Sequence, residues 1–234
     1  MFDIAPFLHK LYLNSIELNS LPEEINTGTV TLLPKPDKNL TIISNWRPIW
    51  LLNVDYKIFS SIFTSRLKDV LPKIIHPDQT AYLSNRSILD NVFTAVSALE
   101  AAKKTNIKGF LAFLDCEKAF DRLNHEYLMK TLLAYGFDTN LCQYISMLIT
   151  NFKASISING HLSNLFEVLC GSKQGDPISG LLFILSIEPL ACAIRKSPLS
   201  DPIHIYNHIK HISIHADDTT LWSASIKGIT HQLN

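Results

Sequence analysis

Two adjacent carboxylates, Asp217 and Asp218, lie between an alternating stretch, Ile212-Ser213-Ile214, and a β-favouring one, Thr219-Thr220-Leu221-Trp222. Flanks of that kind predict a strand on each side, with Asp217-Asp218 as the hairpin turn between them. Like charges side by side repel, and the repulsion is relieved when a divalent cation is shared between them and a third carboxylate. Such a ligand set holds two Mg²⁺ ions about 3.5–4 Å apart for in-line nucleotidyl transfer. An Asp-Asp pair alone is also an ordinary solvated turn, because Asp is a common turn former. The chemistry therefore depends on what else the chain supplies.

A further acidic site stands far upstream, in Gly109-Phe110-Leu111-Ala112-Phe113-Leu114-Asp115-Cys116-Glu117-Lys118-Ala119-Phe120-Asp121. The short apolar run 110–114 predicts a buried strand, and Asp115 leaves its C-terminal end, a good place for a metal ligand. A solvated strand-end Asp is the ordinary alternative. Residues 123–135 then carry a helical apolar pattern that stops at Gly136. Between the acidic sites lies Gly171-Ser172-Lys173-Gln174-Gly175-Asp176-Pro177-Ile178-Ser179-Gly180. Gly175 and Pro177 mark a tight loop, and Ser179 or Gly180 opens an apolar helix over 181–194 with Pro189 as a kink. A Gly-rich turn at a helix start lets backbone N–H groups approach a nucleotide, with Gln174 projecting beside it. Gly-x-Pro turns before helices are common in their own right.

The elements that must position these residues are those of a mixed α/β chain. Strands are predicted near 110–114, 154–159, 166–170, 211–216 and 219–223, with polar loops at 34–45 and 196–207. With 234 residues and 47% apolar content the chain buries a sizeable core, as one compact unit or two subdomains. A formal net charge of zero supplies no general attraction for a polyanion. Cys116, Cys142, Cys170 and Cys192 form no Cys-x-x-Cys pair and read as reduced residues of an intracellular protein. His204, His208, His211 and His215 raise the question of zinc, but a strand over 209–215 would put His208 on the wrong face and no cysteine lies nearby. The most apolar stretch, 178–194, contains Glu188 and Pro189 and reads as a buried helix, so no membrane partner is expected.

In this order the three elements resemble motifs A, B and C of reverse transcriptases, and specifically those of non-LTR (LINE-type) retrotransposons. Further blocks are similar to that family: Leu33-Pro34-Lys35-Pro36, Asn45-Trp46-Arg47-Pro48-Ile49 running into Leu51-Leu52-Asn53-Val54-Asp55-Tyr56-Lys57-Ile58, Asp78-Gln79-Thr80-Ala81-Tyr82-Leu83-Ser84-Asn85-Arg86-Ser87-Ile88-Leu89-Asp90-Asn91, and a helical start over 7–18. Six ordered blocks make chance a poor explanation. The resemblance implies an α/β (α+β) right-hand polymerase fold: an N-terminal helical segment and fingers over 1–108, and a palm with an antiparallel sheet packed on helices over 109–234. It implies Asp115, Asp217 and Asp218 as catalytic metal ligands for two Mg²⁺ ions, with Mn²⁺ as a substitute. Phe120 is implied as a steric gate against the ribose 2′-hydroxyl, Gln174 and Gly175 as lining of the nucleotide and template pocket, and Lys35 and Arg47 as cations facing the triphosphate.

The implied activity is RNA-directed DNA synthesis, with an RNA template, a DNA primer and deoxynucleoside triphosphates as partners, in the cytoplasm and nucleus as a ribonucleoprotein. The chain stops twelve residues after Trp222, so the later palm motifs, the thumb and an endonuclease are expected elsewhere in a full-length element. Several residues depart from the family pattern: His215 replaces an aromatic residue, Gly180 a Pro, Ala81 and Asn85 two glycines, and Trp50 a small residue. Left-handed backbone at Ala81 or Asn85 would be strained by about a kilocalorie per mole or more. A non-catalytic nucleic-acid-binding remnant and a palm-type RNA-dependent RNA polymerase are the alternatives, and the bulk of Phe120 argues against the latter.

Overall fold

The computed structural model of the chain describes residues 3–106, 108–205 and 208–233. In chain order the elements are α1 (Ala5–Leu18), β1 (Thr27–Pro34), β2 (Trp46–Leu52), α2 (Val54–Ile74), α3 (Ile88–Thr105), β3 (Phe110–Leu114), α4 (His125–Ala134), α5 (Thr139–Ile149) and β4 (Lys153–Ile158). They continue as β5 (His161–Leu162), β6 (Phe166–Glu167), α6 (Ser179–Lys196), β7 (Ile203–Ile205), β8 (His208–Lys210), β9 (Ile212–His215), β10 (Asp218–Ser223) and α7 (Ile226–Leu233). Contacts group them into two compact units, Met1–Arg66 with Phe120–Leu182, and Leu67–Ala119 with Phe183–Asn234. Each unit thus draws on both sides of a cut at 108/109.

The first unit is built on a sheet of order β2-β1-β4-β5, with β6 also on β4. β1 pairs antiparallel with β2 (Leu33 opposite Arg47) and parallel with β4 (Thr29 opposite Ser155). Gly28 permits a close approach here, since a Cβ would come within 2.9 Å of the Phe152 ring. Tyr56, Phe59 and Phe63 recur along one face of α2 and are almost fully buried. Tyr12 from α1 stacks on Phe59 at 4.8 Å, and Phe63 meets Tyr144 of α5 at 5.6 Å. The helix expected over 123–135 starts at His125 because the Asn124 side chain caps it, accepting the Tyr127 N–H. The strand expected over 166–170 is confined to β6. Beyond it Val168 N–H still bonds Phe152 C=O, and the chain then turns at Gly171, whose φ is 87°.

The second unit carries the antiparallel sheet β3-β10-β9 and a two-stranded ribbon, β7-β8. Alternation along β10 sends Leu221 and Trp222 into different clusters, as a pleated strand requires. Leu221 joins Ile212, Ile214, Ala191 and Ile194, while Trp222 joins Ile203 and Ala98. The strand at 110–114 forms, but it is not buried as expected: β3 is the sheet's edge and Phe113 is 78% exposed. Leu111, on the same face, packs on the Trp222 cluster, and Phe113 runs past that cover. The polar loop expected over 196–207 contains β7, and its last two positions, Tyr206 and Asn207, lie outside the described residues. Glu188, inside the apolar helix α6, is buried and ion-paired with Arg195. Among the described residues no helix is long and apolar enough to cross a membrane.

Candidate active site

β9 and β10 pair His215 with Asp218 and Ile214 with Thr219, so the two-residue turn is Ala216-Asp217, one position earlier than the expected Asp217-Asp218. Asp218 instead opens β10. The β3–β10 ladder ends at Leu114 opposite Thr219, which leaves Asp115 and Asp218 one position beyond the last pair, at the same end of the sheet. Opposed residues on neighbouring antiparallel strands have Cα atoms about 4.5–5.5 Å apart. Two neighbouring groups feel the charge at this end of the sheet. Burial, then the charges of Asp217 and Asp115, push the Cys116 thiol up from its ordinary pKa; burial and then Asp217 do the same to the Tyr82 phenol.

The donors at this edge are all carboxylate oxygens, the hard ligands that Mg²⁺ takes, so the donor chemistry fits. The carboxylates are not gathered, however: among the described residues no three His, Cys, Asp or Glu side chains form a metal-holding group. Neither Asp115, Asp217 and Asp218 nor the described histidines near the hairpin form such a group. Three like charges at one edge repel, which favours side chains that fan apart.

The turn is held from outside its own strands. Gln79, fully buried, accepts the Ala216 N–H at 3.0 Å and the Ala81 N–H at 3.0 Å through Oε1, and donates from Nε2 to Ala216 C=O at 3.3 Å. Thr80 bonds His215 Nδ1 at 3.0 Å, so the imidazole that departs from the family's aromatic residue has a polar partner. Asn91 donates to Ile214 C=O at 3.0 Å. Behind them the Arg86 guanidinium donates to four carbonyls, those of Pro72, Ile75, His76 and Gln79, and Asp78 meets Lys210 at 2.6 Å and Arg195 at 3.4 Å. Sequence reasoning gave Gln79 and Arg86 no role; the available signal was their place in the largely polar block 78–91 that is similar to the family. Of the two expected sites of strain, Asn85 does adopt φ 62°, whereas Ala81 does not and its neighbour Tyr82 does, at φ 60°.

The remaining candidates belong to the first unit. Ser172 N–H bonds Phe120 C=O and Gly171 N–H bonds Leu123 C=O, both at 2.7 Å, tying the loop to the turn that carries Phe120. Trp50 N–H bonds Gln174 C=O at 3.2 Å, tying the loop to β2 as well, and the Trp50 ring meets Phe152 edge-on at 5.8 Å. Phe120, Gln174 and Gly175 therefore share one hydrogen-bonded frame. Gly175 has φ 112°, and a Cβ there would lie 3.2 Å from Trp50 O, so a side chain would be strained by the backbone and tightly placed against Trp50. Lys35 and Arg47 stand at one end of the β1–β2 pair: Arg47 faces Leu33, and Lys35 N–H bonds Asn45 C=O at 2.8 Å. Arg47 is exposed, and Lys35 Nζ donates to Ser44 C=O at 3.0 Å.

Below the loop is a buried polar group that the sequence did not announce. Asp176 accepts from Tyr56 Oη at 2.8 Å and from Ser60 Oγ. Lys173 Nζ donates to Leu148 C=O at 2.6 Å and lies 3.8 Å from the Phe152 ring centroid. Burial presses the Lys173 ammonium down to about 7 from an ordinary 10.5, against the pull of Asp176.

Comparison with known proteins gives this arrangement its context. Residues 33–234 match the model of the reverse transcriptase (RNA-dependent DNA polymerase) family, whose members generally use divalent metal ions. The transposon TX1 uncharacterized 149 kDa protein of Xenopus laevis is 38% identical over 82% of the chain and 15% of its own length. The Pol polyprotein of the type-2 retrotransposable element R2DM of Drosophila melanogaster is 28% identical over 90% of the chain and 19% of its own length. The chain thus spans less than a fifth of either relative. Apo telomerase from Candida tropicalis, truncated from its C-terminal domain, shares the fold, with TM-score 0.62 at 13% identity over 97% of this chain and 51% of that one. The chain belongs to the reverse transcriptase family, among relatives that are non-LTR retrotransposon proteins.

Proposed function

We propose that the chain is the polymerase core of an RNA-directed DNA polymerase, adding deoxynucleotides to a primer 3′-hydroxyl on an RNA template. The observation that carries this reading is the sheet end at which Asp115 and Asp218 stand one position beyond the β3–β10 ladder, with Asp217 in the adjoining turn. Asp115, Asp217 and Asp218 would hold the divalent ions, Mg²⁺ or Mn²⁺, that acidify the primer hydroxyl and bind the triphosphate. Lys35 and Arg47 supply fixed positive charge for the phosphates. Phe120 fills the space of a 2′-hydroxyl, and Gln174 with Gly175 lines the nucleotide and template pocket, where the bare Gly175 backbone admits close approach. Thumb and endonuclease functions would come from the rest of a longer element protein, working as a ribonucleoprotein in the cytoplasm and nucleus.

Primer extension on an RNA template in Mg²⁺, by the chain joined to a thumb, tests the reading. Asp115→Asn and Asp217→Asn should each lower the rate by about a hundredfold or more. Extension unchanged by both substitutions would overturn it. In the same assay Phe120→Val should raise ribonucleotide incorporation relative to deoxyribonucleotide, and an unchanged ratio would remove the gate role from Phe120.

A further inference from the structure

We propose that Gln79 is the positioning residue of the acidic hairpin: its side-chain amide holds Ala216 in the left-handed conformation and thereby sets the direction of Asp217. The proposal deepens the polymerase reading and rests on it for the role of Asp217. Ala216 has φ 58°, a conformation that an alanine avoids and that two-residue hairpin turns normally give to Asn or Gly. Nothing local favours it. The Gln79 amide instead engages both backbone groups of Ala216, accepting its N–H at 3.0 Å and donating to its C=O at 3.3 Å, as the peptide group of a neighbouring strand would. Asp217 is the next residue, so rotation about ψ of residue 216 would swing its carboxylate.

The clamp is itself immobilised. Gln79 Oε1 also accepts Ala81 N–H at 3.0 Å, Gln79 C=O accepts from Arg86 at 2.9 Å, and the backbone of residues 78–80 bonds both ways to Ile214. Its chemistry is restricted as well. An amide both donates and accepts, as two opposed backbone groups demand. A carboxylate at 79 would lose the donor and add negative charge beside three aspartates, and an ammonium would have no acceptor. Glutamine satisfies both hydrogen bonds while leaving the charge of the acidic edge unaltered.

The full chain is compared as wild type, Q79M, Q79E, A216G, Q79M/A216G and D217N by amide hydrogen exchange and by Mn²⁺ binding read from the free-ion paramagnetic signal. Q79M should speed exchange of the Ala216 amide by at least about tenfold while the Trp222 amide, bonded to His211 C=O, stays protected. It should also weaken Mn²⁺ binding by about tenfold or more, the usual scale for removing a group that orients a ligand. A glycine accepts the left-handed turn without a clamp, so Q79M/A216G should bind Mn²⁺ more tightly than Q79M. Should Q79M lose Trp222 protection, and hence its fold, Q79E is judged in its place and should give a smaller increase in exchange. Unchanged Ala216 exchange, or undiminished Mn²⁺ affinity in a folded variant, overturns the clamp. If D217N binds Mn²⁺ as well as wild type, the metal role of Asp217 fails, and the exchange result alone then decides whether Gln79 holds the turn.

Discussion

Buried charge fastens the loop of the first unit, where Lys173 lies on the Phe152 ring and Asp176 gathers Tyr56 and Ser60. In the second unit the Ala216-Asp217 turn is fastened by a neutral amide, Gln79, and a hydroxyl, Thr80. The ionic groups there stand further back, with Asp78 between Lys210, Arg195 and His76. A loop proposed to face a nucleotide tolerates a buried cation beneath it. A turn of adjacent carboxylates, here proposed to bind metal, is held more safely by groups that leave its own field alone. The contrast separates two sensitivities: the loop's support should respond to pH, and the hairpin's support to the chemistry of one amide.

The strongest way to break the contrast is Asp176→Ala. It takes the Asp176 acceptor from Ser60 and from Tyr56, which keeps only its bond to Leu148 C=O, and removes the charge of Asp176 that opposes the desolvation of Lys173, so stability should fall by about 3–5 kcal/mol in urea unfolding. Thr80→Val, which removes one neutral hydroxyl from the hairpin support, should cost about 1–3 kcal/mol. Equal losses would mean that charge confers no special importance on the loop.

The next effect is a pH slope. The folded state gives up the Lys173 proton near pH 7, while the unfolded chain keeps it to about 10.5. Over that interval the unfolded state binds more protons, so this group makes stability rise as pH climbs from about 7 towards 10.5 and adds nothing below 7. Urea midpoints at about pH 7 and pH 9.5 should therefore climb more in the wild type than in Lys173→Met. Parallel climbs would show that Lys173 titrates as it does in the unfolded chain.

The smallest expected effect concerns Asn85, which reaches φ 62° with an exposed side chain. Asn85→Ala should lower stability by about 1 kcal/mol, and Asn85→Gly should leave it within about 0.5 kcal/mol. A larger loss for the glycine variant would mean that Asn85 is held by contacts, as Ala216 is, and not by its own tolerance of left-handed backbone.

Much of the candidate site was legible because its signals are local. An apolar run ending in Asp115, alternation into Asp217-Asp218 and a Gly-Pro loop each state their element within a few residues. The turn was misplaced by one residue because Asp's turn preference points to 217–218, whereas the register is fixed by the pairing of Leu221 with Ile212 and Ala112. What then makes Ala216 acceptable in the turn comes from Gln79, 137 residues away, which no local pattern reveals. Lys173 was illegible for the opposite reason: lysine in a polar loop reads as solvated, and only the Tyr56 and Phe152 rings show that it is buried. Phe113 misled because an apolar run carries no information on whether its strand is central or at an edge.

The parallel pairing of β1 with β4 has a consequence for biosynthesis. At the ribosome β1 and β2 emerge together, yet the strand that completes β1's other edge begins only at Lys153. With elongation at about 5–20 residues per second, the β1–β2 hairpin waits roughly 5–20 s with one row of backbone N–H and C=O groups unpaired. During that interval the nascent chain offers an open edge to any neighbouring strand, including the same segment of a second chain on the same message. Thr29 and Thr31, the β1 residues that will face Ser155 and Ser157, make that waiting edge less apolar than an all-aliphatic strand would be.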